Sequence, residues 1–318
     1  MKCARRNART SVLALGLLAA GCAVPVPEPM APAAFLFAHF LGNGEDGLHL
    51  LGSLDGYRWQ VLAAGQPVLR GTVGKEKLVR DPSVARGPDG LYHVVWTCGW
   101  WENGIGYAAT SDFVHWTEQR FLPLMAHEPT VRNTWAPEVT YDEVAEQYVI
   151  VWASTIPGRF PATDGSSEDG LDHRLYVTTT RDWRVFSPVR LLLDPGFSSI
   201  DGTFARAWDG QRFLLLKNET LVPPKKHLCA VPAASLLGPF GPVSEPFSPA
   251  WVEGPTALWN GAEYVVYFDR YREGAFGAVC TTDFVHFADC TARITMPAGV
   301  RHGTAFPVPI RLLGSLQR

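Results

Sequence analysis

Helix-period apolar spacing is almost missing from this 318-residue chain. Outside the first residues no amphipathic helical stretch of useful length occurs, which argues against a helical or α/β domain. Methionine is scarce, at four residues, against seventeen Phe and eleven Trp. No second apolar run is long enough to cross a bilayer. No cysteine pair has zinc-ligand spacing, so a structural zinc site is not indicated. An excess of basic charge is also lacking; the formal net charge is −3, which argues against a nucleic-acid partner. Only 19% of residues are charged and 47% are apolar, so bulk disorder is excluded and a large core can form.

The N-terminus reads MKCARRNARTSVLALGLLAAGCAVPV. Lys2, Arg5, Arg6 and Arg9 precede a short apolar stretch from Val12 to Ala20, the pattern of an export signal. The run Leu18-Ala19-Ala20-Gly21-Cys22 resembles a bacterial lipobox. It predicts a signal peptide over residues 1–21 and a lipid on Cys22; ordinary secretory cleavage is the alternative. Residues 22–34 then form a Pro/Ala-rich linker. The protein is thus expected in the bacterial cell envelope, touching the membrane only through its N-terminal lipid. Cleavage leaves 24 basic and 31 acidic residues, a net of −7. Cys280 and Cys290 flank a short turn, so a disulfide between them is plausible in an oxidising compartment. Cys98 and Cys229 have no evident partner.

The remainder repeats itself. TSDFVHWTEQ (110–119) returns as TTDFVHFADC (281–290), with weaker copies at 53–62 and 179–189. Each reads as a hairpin: strand, Asp turn, aromatic, strand. Strand openings repeat as well, in RDPSVARGPDGLYHVVWT, WAPEVTYDEVAEQYVIVWA, IDGTFARAWDGQRFLLLKN and VEGPTALWNGAEYVVYFDR. Their acids are Asp81, Glu138, Asp201 and Glu253, separated by 57, 63 and 52 residues, and His302 follows 49 residues later. Five units of about 50 residues, each with some four short strands, predict an all-β, five-bladed β-propeller over residues 35–318. The last unit is incomplete, and AAFLFAHFL with GLHLLGSLDGYRWQVL would complete it from the N-terminus and close the ring.

Inner strands of a propeller line its axis, so the four acids and His302 should meet in one funnel. Single acids beside Pro or Gly commonly serve turns. Four on four repeats point to a shared use, because crowded carboxylates repel unless chemistry or an ion needs them. A protonated carboxyl facing an ionised one can cleave a glycosidic bond, and an inverting pair stands about 6.5–9.5 Å apart. Calcium ligation is the other use of such a cluster.

At these positions the chain resembles glycoside hydrolase family 43. The marks are Arg80-Asp81-Pro82-Ser83, Trp135-Ala136-Pro137-Glu138, Ile200-Asp201-Gly202-Thr203-Phe204, Glu253-Gly254-Pro255 and Arg301-His302-Gly303-Thr304, in the family's order. The resemblance implies an inverting glycosidase. It implies Asp81 as general base, Asp201 as the group that tunes and orients the acid, and Glu253 as general acid. His302 matches an axial histidine near a water-coordinated Ca2+ or Na+; no cofactor is required by the chemistry. Two departures stand out: Glu138 where Asp is commoner, and Gly202 after the modulator.

Further substrate contacts are expected from Trp100, Trp135, Glu138, Glu219 and His302, with core packing or a surface role as the competing reading for Trp100, Trp101 and Glu219. Lys225 and Lys226 are expected to be solvated. The substrate is expected to be an oligosaccharide or polysaccharide of plant type, losing terminal arabinofuranosyl or xylosyl units. A galactofuranosidase or galactanase, or a non-catalytic glycan-binding propeller, are the alternatives.

Overall fold

The computed structural model describes residues 33–317; the leader, Cys22 and the linker up to Pro32 lie outside the described residues. Nineteen strands are arranged in five sheets around one axis, a five-bladed β-propeller. The first blade holds β4 Arg80–Arg86, β5 Tyr92–Thr97, β6 Ile105–Thr110 and β7 Arg120–Leu122. The second holds β8 Trp135–Asp142, β9 Gln147–Thr155, β10 His173–Thr180 and β11 Arg190–Leu193. The third has three strands, β12 Ser199–Arg206, β13 Arg212–Asn218 and β14 His227–Ala233. The fourth holds β15 Glu253–Trp259, β16 Tyr264–Arg270, β17 Ala275–Thr281 and β18 Ala288–Asp289.

The fifth blade joins the two ends of the chain. Its inner strand is β19 Thr304–Pro309, followed outward by β1 Ala33–His39, β2 His49–Ser53 and β3 Gln60–Val61. β1 pairs antiparallel with β19 from Ala33 opposite Pro309 to Ala38 opposite Thr304. Ring closure is therefore as the sequence predicts, with β1 beginning at the first residue of the AAFLFAHFL stretch, two residues before the propeller boundary expected at 35.

Alternation along each strand explains the packing. A blade interior contacts a neighbour on either face, so its central strands are buried on both sides. Leu36 and Leu50 pack toward the first blade, while Phe37 and Leu51 pack toward the fourth. Ile150 and Trp152 face the first blade, while Val149 and Val151 face the third. Five apolar clusters result, one between each neighbouring pair of blades.

The repeated Asp turn is a local device. Asp112 Oδ1 accepts from the Val114 and His115 amides at 2.9 and 2.8 Å, and Thr110 Oγ1 accepts from the Phe113 amide at 2.9 Å. Asp182 with Thr180, and Asp283 with Thr281, repeat the pattern. Asp55 does the same for Tyr57 and Arg58. Satisfying these amides internally lets the turn stand in water without a neighbour.

The outer edge of the third blade has no fourth strand. An irregular segment covers it: Ser244 and Ser248 hydroxyls accept from the Ala230 and Leu228 amides at 3.0 and 2.9 Å. Cys280 and Cys290 form a disulfide, with Cα atoms 5.8 Å apart, and Cys98 and Cys229 are free and buried. One helix escaped the sequence reading: α1 Ile310–Leu316 buries Leu313 and Leu316 against the fifth and first blades. Its two turns are too short for helical periodicity to register.

Phe37 is fully buried, edge-on to Trp59, Tyr267 and Phe276. It is the point where the closing strand meets the fourth blade. Phe37→Ala should lower stability by about 3–5 kcal/mol in urea unfolding.

Candidate active site

Four inner strands share one irregularity near their N-terminal ends. Register shifts fall between Arg80 and Ser83, Trp135 and Glu138, Ile200 and Thr203, and Glu253 and Thr256. Inside each shift one residue has a left-handed backbone: Asp81 (φ 48°), Ala136 (φ 46°), Asp201 (φ 57°) and Gly254 (φ 59°). A bulge of this kind turns a side chain out of the sheet toward the axis. Asp tolerates the conformation better than most residues. At Gly254 a side chain is impossible, since a Cβ would lie 2.2 Å from His302 Cγ.

The bulges correct the equivalence expected from sequence. Asp81 and Asp201 do occupy matching positions. Their counterparts in the second and fourth blades are Ala136 and Gly254. Glu138 stands two residues further along its strand, and Glu253 one residue earlier. The acids converge nonetheless: Asp81, Glu138, Asp201 and His302 line one small axial cavity, with Pro137, Pro255 and Gly303. It has room for about one water molecule. Glu253 lies beside it.

His302 links the two sides. Its Nε2 is 2.9 Å from Asp81 Oδ1, and its Nδ1 is 3.4 Å from Asp269 Oδ2 and 3.5 Å from Glu253 Oε1. Each ring nitrogen thus faces a carboxylate, an arrangement that favours the doubly protonated ring. Burial would lower its pKa; the hydrogen bonds to Asp269 and Asp81 and the charge of Glu253 overcome this and raise it to about 10.

The carboxyl groups fall into two classes. Burial would raise the pKa of Asp81, but the His302 hydrogen bond, the Arg80 charge and the Thr97 hydroxyl, 2.7 Å away, hold it below the usual carboxylate range. Burial likewise opposes ionisation of Glu253. Lys217 at 3.1 Å, His302, and Arg301 at 2.6 Å outweigh it and bring the pKa down to about 2. Among the described residues Glu138 and Asp201 have no basic partner within salt-bridge distance. Burial raises Glu138 to about 8, against a Ser83 hydroxyl donating at 2.7 Å and with the Asp201 charge adding. Asp201 is raised to about 6 by burial, with Glu253 and Asp81 adding and His302 and Lys217 opposing; its Oδ2 accepts from the Gly254 amide at 2.9 Å.

The same residues test the expected axial ion. Carboxylates of Glu253 and Asp269 converge with His302 on one point. Arg301 already occupies it, donating from Nε to Asp269 at 2.6 Å and from Nη2 to Glu253 at 2.6 Å. At this point the two carboxylates hold a guanidinium.

Glu219 is placed differently from the expectation of a sugar contact. It is buried, with Oε1 accepting from Lys217 at 2.8 Å and Oε2 paired with Lys226. Lys226, expected in water, is fully buried. Two buried ammonium groups need carboxylate partners, and Glu219 supplies both. Trp100 is half-buried, with Arg80 4.3 Å over its ring and its Nε1 donating to Asn43 at 3.1 Å. Trp135 is half-buried too; its Nε1 donates to Trp100 O at 2.6 Å and its ring packs against His173. Trp101 is the member of this cluster that faces solvent. Sequence reasoning missed Lys217, Asp269, Arg301 and His173. Arg301 was in a quoted motif, next to His302, and could have been found there. Burial lowers the pKa of His173 to about 4, which keeps it neutral.

A sequence model of the family Glyco_hydro_43_rel, described as a probable glycosyl hydrolase domain, matches residues 30–311. The chain belongs to this family. It is thus a glycoside hydrolase related to family 43. A comparison with curated proteins returns no match. Solved structures similar to this glycosidase include an alpha-L-arabinofuranosidase from Lactobacillus brevis, at 13% identity and TM-score 0.52, covering 67% of this chain and 72% of that one. A thermostable family-43 glycoside hydrolase has 14% identity and TM-score 0.53, covering 71% and 78%. An exo-beta-1,3-galactanase from Clostridium thermocellum has 12% identity and TM-score 0.51, covering 69% and 50%. At such identities the likeness concerns the propeller itself.

The raised pKa of Glu138 fixes a sign for stability against pH. Its folded value, about 8, lies above the model-compound value of 4.5. Its contribution is therefore complete below about pH 4.5 and is lost as pH rises through about 8. Glu138→Gln, which mimics the protonated carboxyl, should remove that loss. Tm measured from pH 5 to 9 should fall less steeply in Glu138→Gln than in wild type.

Proposed function

We propose that this glycosidase releases terminal pentose units, α-L-arabinofuranosyl or β-D-xylosyl, from plant-type polysaccharides or oligosaccharides, with inversion. The carrying observation is the line Asp81–His302–Glu253, two carboxylates at opposite edges of one imidazole. A ring's width plus two hydrogen bonds is of the order an inverting pair requires, about 6.5–9.5 Å.

In this reading Asp81, held ionised, takes a proton from water, and the resulting hydroxide attacks the anomeric carbon. The bond to the leaving oxygen breaks as Glu253 gives that oxygen its proton. Asp201, bound to the Gly254 amide beside Glu253, orients the acid. Lys217 and Arg301 favour Glu253 as an anion, so its loaded, protonated form is scarce at neutral pH. Activity is expected to rise toward acid pH and to fall on the alkaline side as Glu253 loses its proton. We further infer that Cys22 carries lipid and holds the enzyme at the cell envelope, on the evidence of the Leu-Ala-Ala-Gly-Cys run.

Two measurements test the site. Asp81→Asn and Glu253→Ala should fold and lose about 10²–10⁴-fold in kcat/KM on nitrophenyl α-L-arabinofuranoside or β-D-xyloside. Turnover retained in both variants rejects these roles. Release only from galactosides would move the substrate to the galactan class, and sugar binding without turnover on any substrate would indicate a glycan-binding propeller.

Removing the positive charge beside Glu253 raises its pKa. Lys217→Met should therefore move the alkaline limb of the kcat/KM profile upward by about 1–3 pH units. An unmoved limb would show that Glu253 is not the titrating acid.

A further inference from the structure

The propeller has two dissimilar ends. The catalytic groups lie where the inner strands begin. The opposite end carries the turns that follow each inner strand and the Asp turns that follow each third strand. Ala33, the first described residue, also lies there, because it pairs with Pro309 at the far end of β19. The chain therefore enters the fold on the face turned away from the active site.

Large apolar side chains are exposed at the turn tips of this same face. Leu54, Val114, Val185 and Val285 cap the Asp turns of four blades. Val144 (83% exposed) and Trp208 (71% exposed) cap the turns after the inner strands of the second and third blades. Trp208 lies against Trp259 of the fourth blade, with ring centroids 5.1 Å apart and an interplanar angle of 29°. One indole face is thus backed by a second ring while the other stays in water.

A single exposed valine is ordinary. Apolar tips are repeated around one end of the ring, and the clefts between them, of about 400, 360 and 320 Å³, carry charged walls that include Asp89, Arg120, Asp142, Arg206, Asp55 and Arg58, so the apolar surface is spread over the tips rather than gathered in one groove. Charge does not choose the partner here. Acids and bases alternate at the tips, as in the Arg58–Asp55, His115–Asp112 and His286–Asp283 pairs. Tryptophan, with its apolar body and one N–H, favours the boundary between lipid headgroups and acyl chains. Only ten residues, 23–32, separate Cys22 from Ala33. At no more than about 3.6 Å per residue their reach is about 40 Å.

The geometry points to this face as a membrane-docking surface: a lipid bilayer covers it, and the catalytic mouth opens away from the membrane. The inference rests on N-terminal attachment for its orientation, whereas the apolar tips can be tested independently of Cys22 processing. The partner is the neutral lipid interface, so attraction is expected to be equal for zwitterionic and anionic vesicles.

Cys22 allows a direct test. Cys98 and Cys229 are buried, and Cys280 and Cys290 are bonded to each other, so among residues 22–317 Cys22 is the thiol left for coupling. Protein starting at Cys22 would be coupled to maleimide lipid in phosphatidylcholine vesicles, with and without phosphatidylglycerol. Hydrogen exchange would be compared with uncoupled protein. Slower exchange in the turns around Val144, Val185 and Trp208, lost in Trp208→Ser/Val144→Ser, supports the surface. That variant should keep wild-type Tm and hydrolysis of a soluble glycoside. Unchanged exchange at these turns, or slowing around Trp101 and Val222 at the catalytic end instead, overturns it. Slowing only on anionic vesicles also overturns it, since charge would then be the attraction. Mass spectrometry of Cys22 from the native host is a separate readout, and an unlipidated Cys22 would remove the anchor while leaving the vesicle result to stand.

Discussion

The antiparallel ladder between β1 and β19 is the interaction on which everything else rests. It joins the two ends of the described chain in one sheet. Without it the fourth and first blades would each lose a neighbour, and the apolar faces of Phe37, Leu51, Leu36 and Leu50 would be left in water. A ring also has an axis, which a row of blades does not. Only closure makes residues 57, 63 and 52 positions apart along the chain converge on one cavity. Catalytic geometry is thus a by-product of a constraint on stability.

At the axis, placement of positive charge decides what each acid can do. Arg301, Lys217 and His302 reach Glu253, and His302 reaches Asp81. Glu138 and Asp201 share the same burial without such partners, and burial dominates there. Chemically similar side chains a few ångströms apart therefore have different protonation. Their separation comes from partners on other strands: Lys217 on β13, Asp269 on β16, and Arg301 just before β19. Each site group depends on at least two blades, so the site is assembled only in the closed ring.

Much of this was readable in the sequence. The hairpin repeat announced the blades, and the incomplete fifth unit announced the exchange of strands between the chain ends. The acids gave the axis. The bulges were hidden, because an extra residue in a strand leaves the apolar pattern on either side unchanged. Matching acid to acid therefore aligned Glu138 and Glu253 with Asp81, whereas the backbone aligns Ala136 and Gly254 with it. Glu219 and Lys226 were misjudged for a related reason. The sequence offers Glu219 as a sugar contact or a surface group and Lys226 as solvated, and the partners that permit their burial come from contacts the linear sequence does not display. Trp208 appeared as one more aromatic among many, since exposure is a property of the fold.

The third blade shows how the ring avoids another hazard. Its outermost regular strand, β14, would present free backbone donors, yet serine hydroxyls of the following segment take two of them. A passing chain finds no row of open amides there to extend. A protein at high concentration meets copies of itself constantly. A side-chain seal on its one short blade makes the propeller a poor template for its neighbours, so crowding need not become aggregation.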